Sequence, residues 1–179
     1  MIAPSVANEV SEVLILRPAL SVCRLFISAG HNFVGHHGRA PGAHPAIEVG
    51  QIECVAGRGI RGDRYFDHEK NYRGQITFFA SEVFRAVQSK LDLPEAAIAA
   101  TRRNVITEGI DLATLIGREF EVQGVRFAGV EECRPCYWMN YALQDPRAES
   151  ALKGQGGLRA RILTDGALQI PNSEFQMPI

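Results

Sequence analysis

The sequence predicts an α+β fold that is mostly β, namely a closed or partly closed antiparallel β-barrel with a few packed helices. Three observations predict it. Short runs of β-branched and aromatic residues recur along the chain, two-residue turns separate several of them, and only two or three helical patterns interrupt them. Strands and helices do not alternate regularly, so a parallel sheet is not expected. Many short strands joined in this way are typical of barrels.

The length and composition predict a single globular domain. The chain has 179 residues, of which 46% are hydrophobic and 22% are charged. This is an ordinary globular composition, and the length suffices to bury a sizeable core. We expect residues 1–19 to form an N-terminal leader, residues 20–170 to form the domain, and residues 171–179 to form a C-terminal tail.

Charge and cysteine content exclude several classes of protein. The net charge of −1 provides no overall basic field for nucleic acid or an anionic membrane. No apolar run reaches the roughly 18 residues of a membrane span, and the N-terminus lacks the basic start of a signal peptide. Four cysteines are too few for a disulfide scaffold at this length. The sequence therefore predicts a cytoplasmic protein with reduced thiols, and it leaves the oligomeric state open.

The N-terminal half is predicted to contain strands, one long loop and two helices. Residues 29–45 are rich in Gly, His and Pro and predict a long loop. Residues 57–65, GRGIRGDRY, predict tight turns because glycine adopts conformations that other residues avoid. Strands are predicted at 22–28, at 46–55 as one strand or a pair, and at 75–79, and helices at 82–91 (capped by Ser81) and 94–100.

The C-terminal half is predicted to contain two hairpins separated by short helices. The first hairpin turns at Gln123–Gly124 and the second at Asp165–Gly166, between strands 158–163 and 167–170. Further strands are predicted at 102–107, 119–122 and 125–130, helices at 112–116, 137–143 and 146–152, and a flexible loop at 154–157.

The stretch EECRPCYWMN at residues 131–140 carries the strongest chemical signal. Cys133 and Cys136 are three residues apart, with Arg134 between them. A thiolate is a soft metal ligand and a nucleophile, and a nearby guanidinium favours the ionised form. Cys136 is therefore a candidate metal ligand or persulfide carrier. The alternative is a structural thiol, because free cysteine is among the most buried residue types.

The C-x-x-C spacing also occurs in zinc sites and redox pairs. A zinc site needs about four ligands, and the long loop holds the side chains that could complete one. These are His31, His36, His37 and His44. The context of a redox pair, a helix start after a strand in a βαβ unit, is not predicted here.

Arginines at several points are candidates for binding an anion. Arg103 and Asn104 begin a predicted strand, and a guanidinium can hold a phosphate or carboxylate through two hydrogen bonds. Arg61 and Arg64 lie in the glycine-rich turn, and Arg159 follows the GQGG loop. The alternative for each is a solvated surface charge.

An ordered series of motifs resembles a known family. The series is GIRGDRY at 59–65, RNVITEGIDL at 103–112, LIGxxF at 115–120, RPCY at 134–137 with Asn140, and GGLRARILxDG at 156–166. In this order it resembles the MOSC domain, the C-terminal module of molybdenum-cofactor sulfurases, here standing alone over residues 20–170. The run Lys70–Gly74 (KNYRG) stands where many members carry a His-Gly-Gly-like run.

The resemblance implies a barrel-like α+β fold and association with the molybdenum cofactor (molybdopterin). Family members take part in sulfur or selenium transfer or reduce N-hydroxylated compounds, and Cys136 matches the central cysteine of the family. Cys136 would then be the catalytic residue and the metal ligand. The expected cofactor-binding residues are Arg61, Arg64, Arg103, Asn104, Arg134 and Arg159. Pyridoxal phosphate binding is a family association only, because Lys90 and Lys153 have no supporting motif.

Three functions follow as hypotheses. The first is a molybdenum-cofactor-dependent oxidoreductase or sulfurtransferase acting on a small-molecule substrate. The second is a metal-free carrier in which Cys136 accepts a persulfide from a sulfur donor protein and Cys133 resolves it. The third is a non-catalytic binding or accessory module with structural cysteines. No partner among nucleic acids or membranes is expected.

Overall fold

The computed structural model describes residues 16, 17, 19–35 and 39–171. Most of the predicted leader, His36, His37 and the tail after residue 171 lie outside these residues. The strands are β1 (Ser21–Ile27), β2 (Ile47–Val49), β3 (Gln51–Val55), β4 (Gly59–Ile60), β5 (Ile76–Ala80), β6 (Val105–Glu108), β7 (Glu119–Val122), β8 (Val125–Glu132), β9 (Leu158–Ile162) and β10 (Gly166–Gln169). The α-helices are α1 (Ser81–Leu91), α2 (Trp138–Leu143) and α3 (Ala148–Leu152), and two 3-10 helices span Glu95–Thr101 and Leu112–Leu115.

Seven strands form the larger sheet, in the order β2-β1-β6-β5-β9-β8-β7. Six of its neighbouring pairs are β2–β1, β1–β6, β6–β5, β5–β9, β9–β8 and β8–β7, and all but β5–β6 are antiparallel. The expectation that βαβ units would be absent is wrong at this one pair. The chain leaves β5 through α1 and the first 3-10 helix and returns to β6 in the same direction, which is the crossover that a parallel pair needs.

The smaller sheet has the order β10-β3-β4. The predicted hairpin between β9 and β10 is wrong, since β10 pairs with β3. The side chain of Asp165 accepts a hydrogen bond from the backbone N–H of Ala56 over 2.7 Å. This bond connects the turn before β10 to the end of β3. The hairpin at Gln123–Gly124 is confirmed. The predicted mixed α+β structure with mostly strands is confirmed. The strand pairings above form two sheets, and closure into a barrel stays a prediction.

The central strand β5 separates two apolar clusters. All five of its residues are buried, and neighbours on the strand point to opposite faces. Phe78 packs edge-to-face against Phe120 and Phe127 on one face, with ring centroids 5.5 and 5.3 Å apart. Phe79 packs on the other face with residues of the three α-helices. Both faces of the sheet are thus covered around β5.

The helices differ from the prediction mainly at their ends. Helix α1 starts at Ser81, and Ala80 occupies the N-cap without a side-chain hydrogen bond, so the predicted cap by Ser81 is wrong. The segment after Pro94 is a 3-10 helix that ends at Arg102 in the left-handed conformation. Within the part of the chain that the structure describes, no helix has the length and apolar character to cross a bilayer.

Candidate functional site

The cysteine stretch connects β8 to α2 and is held in place by backbone contacts. The N–H of Cys133 donates to the carbonyl of Gly157 over 2.7 Å, and the N–H of Gly156 donates to Oε1 of Glu132 over 3.2 Å. A Cβ added at Gly156 would collide with the carbonyl oxygen of Cys133 and lie 2.8 Å from Cδ of Pro135. The glycine-rich loop therefore packs directly against the backbone of Cys133 and against Pro135.

Both cysteines line one cavity of about 160 Å³. Cys136 is exposed, whereas Cys133 is 6% exposed, and both thiols are free. The lining also includes five arginines, two tyrosines and a histidine. These are Arg64, Arg102, Arg103, Arg134, Arg159, Tyr65, Tyr72 and His31. The cavity thus combines soft sulfur ligands with positive charge.

Two of these arginines donate side-chain hydrogen bonds to oxygen atoms of the protein. Arg103 donates to the carbonyls of Gly156, Thr101 and Cys133 over 2.9, 2.7 and 3.1 Å. Arg102 ties the long loop to the domain through the carbonyls of His44 and Gly30 (both 2.6 Å) and Oγ of Ser28 (2.8 Å). Burial, with the nearby positive charge of Arg64, lowers the pKa of Arg102 to about 10. Arg102 and Arg103 contribute charge to the cavity while shaping its walls.

Arg64, Arg134 and Arg159 also line the cavity. Arg64 donates to Oδ2 of the buried Asp63 over 3.3 Å, and Arg134 is exposed. Burial works against the charge of Arg159, but the charge and hydrogen bonding of Cys133 outweigh it and raise the pKa of Arg159. Arg159 also pairs with Glu131 at 3.7 Å. The electrostatic influence of Cys133 on Arg159 was not predicted, because the sequence pointed to Cys136.

Two predicted binding residues are not among the residues that line the cavity. Asn104 is buried, its Oδ1 accepts from the N–H and hydroxyl of Thr77, and its Nδ2 donates to the carbonyl of Phe26 and to Asp63. Arg61 is exposed and pairs with Glu53 over 2.7 Å. Both side chains are occupied within the fold, so neither belongs to the site proposed below.

Sequence reasoning missed the aromatic wall of the cavity. The rings of Tyr65 and Tyr72 stack with centroids 4.9 Å apart, and His31 meets Tyr65 edge-on at 4.9 Å. Tyr65 lies inside the motif GIRGDRY, and its place in that motif could have indicated that it belongs to the cavity. Tyr72 lies in the run KNYRG, which departs from the family resemblance and gave no signal.

A larger cavity of about 790 Å³ lies elsewhere and has a different character. Its charged lining residues are Glu82, Asp111 and Glu132. Carboxylates repel an anionic cofactor. We therefore place the candidate site in the cysteine-lined cavity, although its volume is smaller.

The donor set of the smaller cavity fits a molybdenum cofactor in chemical type. Thiolates suit a thiophilic metal, and guanidinium groups suit the phosphate of a pterin. Its volume is below the roughly 300 Å³ of common small-molecule pockets, so a pterin would be only partly enclosed. Among the residues described, no group of three or more His, Cys, Asp or Glu side chains is arranged to hold a metal ion, so the zinc hypothesis gains no support.

The fold and the site define a class: a small α+β domain with a thiol and guanidinium groups at one cavity. A family model described as the MOSC domain matches residues 60–170, and the chain belongs to this family. No curated protein matches the sequence significantly.

Solved structures share the fold. The YuaD protein from Bacillus subtilis is 21% identical with a TM-score of 0.62, over 84% of this chain and 91% of that one. YiiM from Geobacillus stearothermophilus is 16% identical with a TM-score of 0.61, over 84% and 71%. YiiM from Escherichia coli is 15% identical with a TM-score of 0.54, over 82% and 65%. At these identities the likeness concerns the fold alone.

Proposed function

We propose that the protein is a molybdenum-cofactor-associated protein of the MOSC family in which Cys136 ligates the metal. One observation carries the proposal. The exposed thiol of Cys136 lies in a cavity that it shares with Arg64, Arg103, Arg134 and Arg159. A ligand reaching this cavity meets a soft sulfur donor and positive charge together.

The residues of the chain have separate tasks in this proposal. Cys136 offers the thiolate, and Arg134 and Arg159 offer donors for the phosphate of the pterin. Arg103 fixes the cysteine loop through the carbonyl of Cys133. Trp138 and Met139 are buried and also line the cavity, so they exclude water from one side. When bound, the cofactor would supply two-electron redox chemistry at the metal, with reduction of N-hydroxylated compounds as the proposed reaction class.

The test is cofactor loading. The protein is purified from a host that makes molybdopterin, and molybdenum and pterin are measured by mass spectrometry. We expect both in the wild-type protein and loss of molybdenum in Cys136→Ser. The matched control is Cys23→Ser, because Cys23 is a free thiol on β1 and should leave the metal content unchanged. Wild-type protein that takes up neither metal nor pterin would overturn the proposal.

A second candidate is a metal-free persulfide carrier, favoured by the presence of two free thiols in one cavity. Cys136 would accept the persulfide from a sulfur donor protein, and Cys133 would resolve it. The reduced thiols also agree with the proposed cytoplasmic location. Intact-mass measurement after incubation with a cysteine desulfurase distinguishes the candidates, since one added sulfur atom on the wild type and none on Cys136→Ser supports the carrier.

A further inference from the structure

Part of the cavity lining is a cluster of aromatic and imidazole rings that the proposed metal site does not use. Tyr65 and Tyr72 line the cavity with His31. His68 is exposed and lies against both tyrosines, with ring centroids 5.4 Å from Tyr65 and 4.9 Å from Tyr72. The cluster therefore extends from the cavity lining to the solvent-exposed ring of His68.

Gly74 and the contacts of the surrounding loop fix the position of Tyr72. A Cβ at Gly74 would lie 3.1 Å from Cε1 and 3.5 Å from the hydroxyl oxygen of Tyr72, so the missing side chain leaves room for the phenol. Nε of Arg161 donates to the carbonyl of Asn71 over 3.1 Å, and Arg73 pairs with Glu131 at 3.1 Å. The loop is tied to the sheet on both sides of Tyr72.

The environment of the Tyr72 hydroxyl keeps its proton in place. Burial raises the pKa of Tyr72 to about 12, and the charge and hydrogen bonding of Tyr65 add to this effect. The positive charge of Arg159 lowers the pKa of Tyr72, and the electrostatic influence of Cys133 raises it. At neutral pH Tyr72 is thus a protonated hydroxyl beside a thiol and a guanidinium.

We propose that Tyr72 is the proton donor of this cavity and that Tyr65 and His68 return a proton to it from solvent. The inference rests on the proposed function. Reduction of an N-hydroxylated compound breaks the N–O bond, takes up two electrons from the reduced cofactor and two protons, and yields an N–H product and water. Tyr72 gives one proton to the departing oxygen, which leaves as water, and the nitrogen takes the second from solvent.

Several titratable or charged groups contact Tyr72 or line the cavity with it, and they enter the pH dependence. They are His31, Arg64, Tyr65, His68, Cys133 and Arg159. Burial, with the positive charge of Arg64, lowers the pKa of His31. The lowered pKa favours the neutral imidazole of His31, which adds no positive charge to a cavity that is already basic.

The test compares Tyr72→Phe, which removes the hydroxyl and keeps the ring, with Tyr141→Phe. Tyr141 is 64% exposed on α2 and is not among the residues lining the cavity, so it is the matched control. With the cofactor-loaded protein and an N-hydroxylated substrate, Tyr72→Phe should lower kcat about a hundredfold with little change in KM. Gly74→Ala, which retains the phenol but displaces it, should lower kcat by a smaller factor.

A second measurement needs no cofactor. The pH profile of Cys133 alkylation is followed by peptide mass spectrometry in the protein as purified. In Tyr72→Phe the profile should move to higher pH, because a phenol that donates protons into the cavity also stabilises a thiolate in the same cavity, and Tyr141→Phe should leave it unchanged.

The outcomes separate the two proposals. If the wild type is loaded and active, and Tyr72→Phe matches it in kcat, the proton-donor inference is wrong while the proposed function stands. If the wild type takes up no cofactor, the proposed function fails. The alkylation profile then still decides whether the Tyr72 hydroxyl donates into the cavity, and an unmoved profile overturns that role as well.

Discussion

Arg103 donates a hydrogen bond from Nη2 to the main-chain carbonyl of Cys133 over 3.1 Å. The side chain is 8% exposed, and its other two hydrogen bonds go to the carbonyls of Thr101 and Gly156. One guanidinium therefore joins the 3-10 helix before β6, the cysteine loop and the glycine-rich loop. An arginine that the sequence indicated as a phosphate ligand determines where the cysteines lie.

Replacing Arg103 should destabilise the fold. Arg103→Met leaves three carbonyls without their donor, and hydrogen bonds to a charged group contribute more than neutral ones. We expect the free energy of unfolding to fall by roughly 3 kcal/mol, measured by urea denaturation. Arg134→Met is the matched control, because Arg134 is exposed and should change stability by no more than about 0.5 kcal/mol. Equal effects of the two substitutions would contradict a structural role for Arg103.

Gly156 should be a sensitive position of the glycine-rich loop. An added methyl group collides with the Cys133 carbonyl, so Gly156→Ala must move the cysteine loop and should cost about 1–3 kcal/mol. Gly154→Ala meets no atom within 4 Å and has only the strain of φ +79°, about 1 kcal/mol. Thermal unfolding gives the stabilities, and the alkylation rate of Cys136 should change in the first variant only.

Local sequence patterns predicted the strands and helices well, and long-range pairing much less well. The pattern at 119–130 fixed its own hairpin because both strands and the turn are contiguous. β10 instead pairs with β3, and the N–H of Ala56 donates to the side chain of Asp165, more than 100 residues away. No local periodicity contains that information.

The candidate site was likewise predicted where the signal is local and missed where it depends on distant contacts. The motif around Cys136 indicated the cavity, because a thiol between an arginine and aromatic residues is unusual chemistry. It could not indicate that Arg103 and Asn104, adjacent in sequence, have different surroundings, since the direction of each side chain depends on the packed sheet. Tyr72 escaped notice because its position depends on the space at Gly74 and on the hydrogen bond from the distant Arg161 to the carbonyl of Asn71.

The ion pair of Asp145 with Arg147 should make stability depend on acid pH. Two hydrogen bonds from the Arg147 side chain (3.0 and 2.7 Å) and one from its N–H (2.8 Å) lower the pKa of Asp145 from 3.8 to about 2. Because the folded-state pKa is depressed, the ionised carboxylate stabilises the fold above pH 3.8, and this contribution is lost as the pH falls through about 2.

The variant that tests this is Arg147→Met, studied by thermal unfolding between neutral pH and pH 2. We expect a lower Tm than the wild type at neutral pH and a difference that shrinks toward zero as the pH approaches 2. Arg73→Met, which breaks a pair with Glu131 elsewhere, controls for a general charge effect. A Tm difference that stays constant with pH would show that Arg147 acts through packing instead.

The four free thiols should react in an order that separates a functional Cys136 from a structural one. A thiolate is the nucleophile, so reactivity needs both exposure and ionisation. Cys136 is exposed, while Cys54 has no exposed surface and burial raises its pKa to about 12. We expect alkylation of the native protein at pH 8 to modify Cys136 first, and to reach Cys54 only after denaturation, as followed by peptide mass spectrometry. Cys136→Ser should keep the wild-type Tm. If Cys136 labels only after denaturation and Cys136→Ser merely lowers Tm, the protein is a non-catalytic module whose cysteines serve the fold.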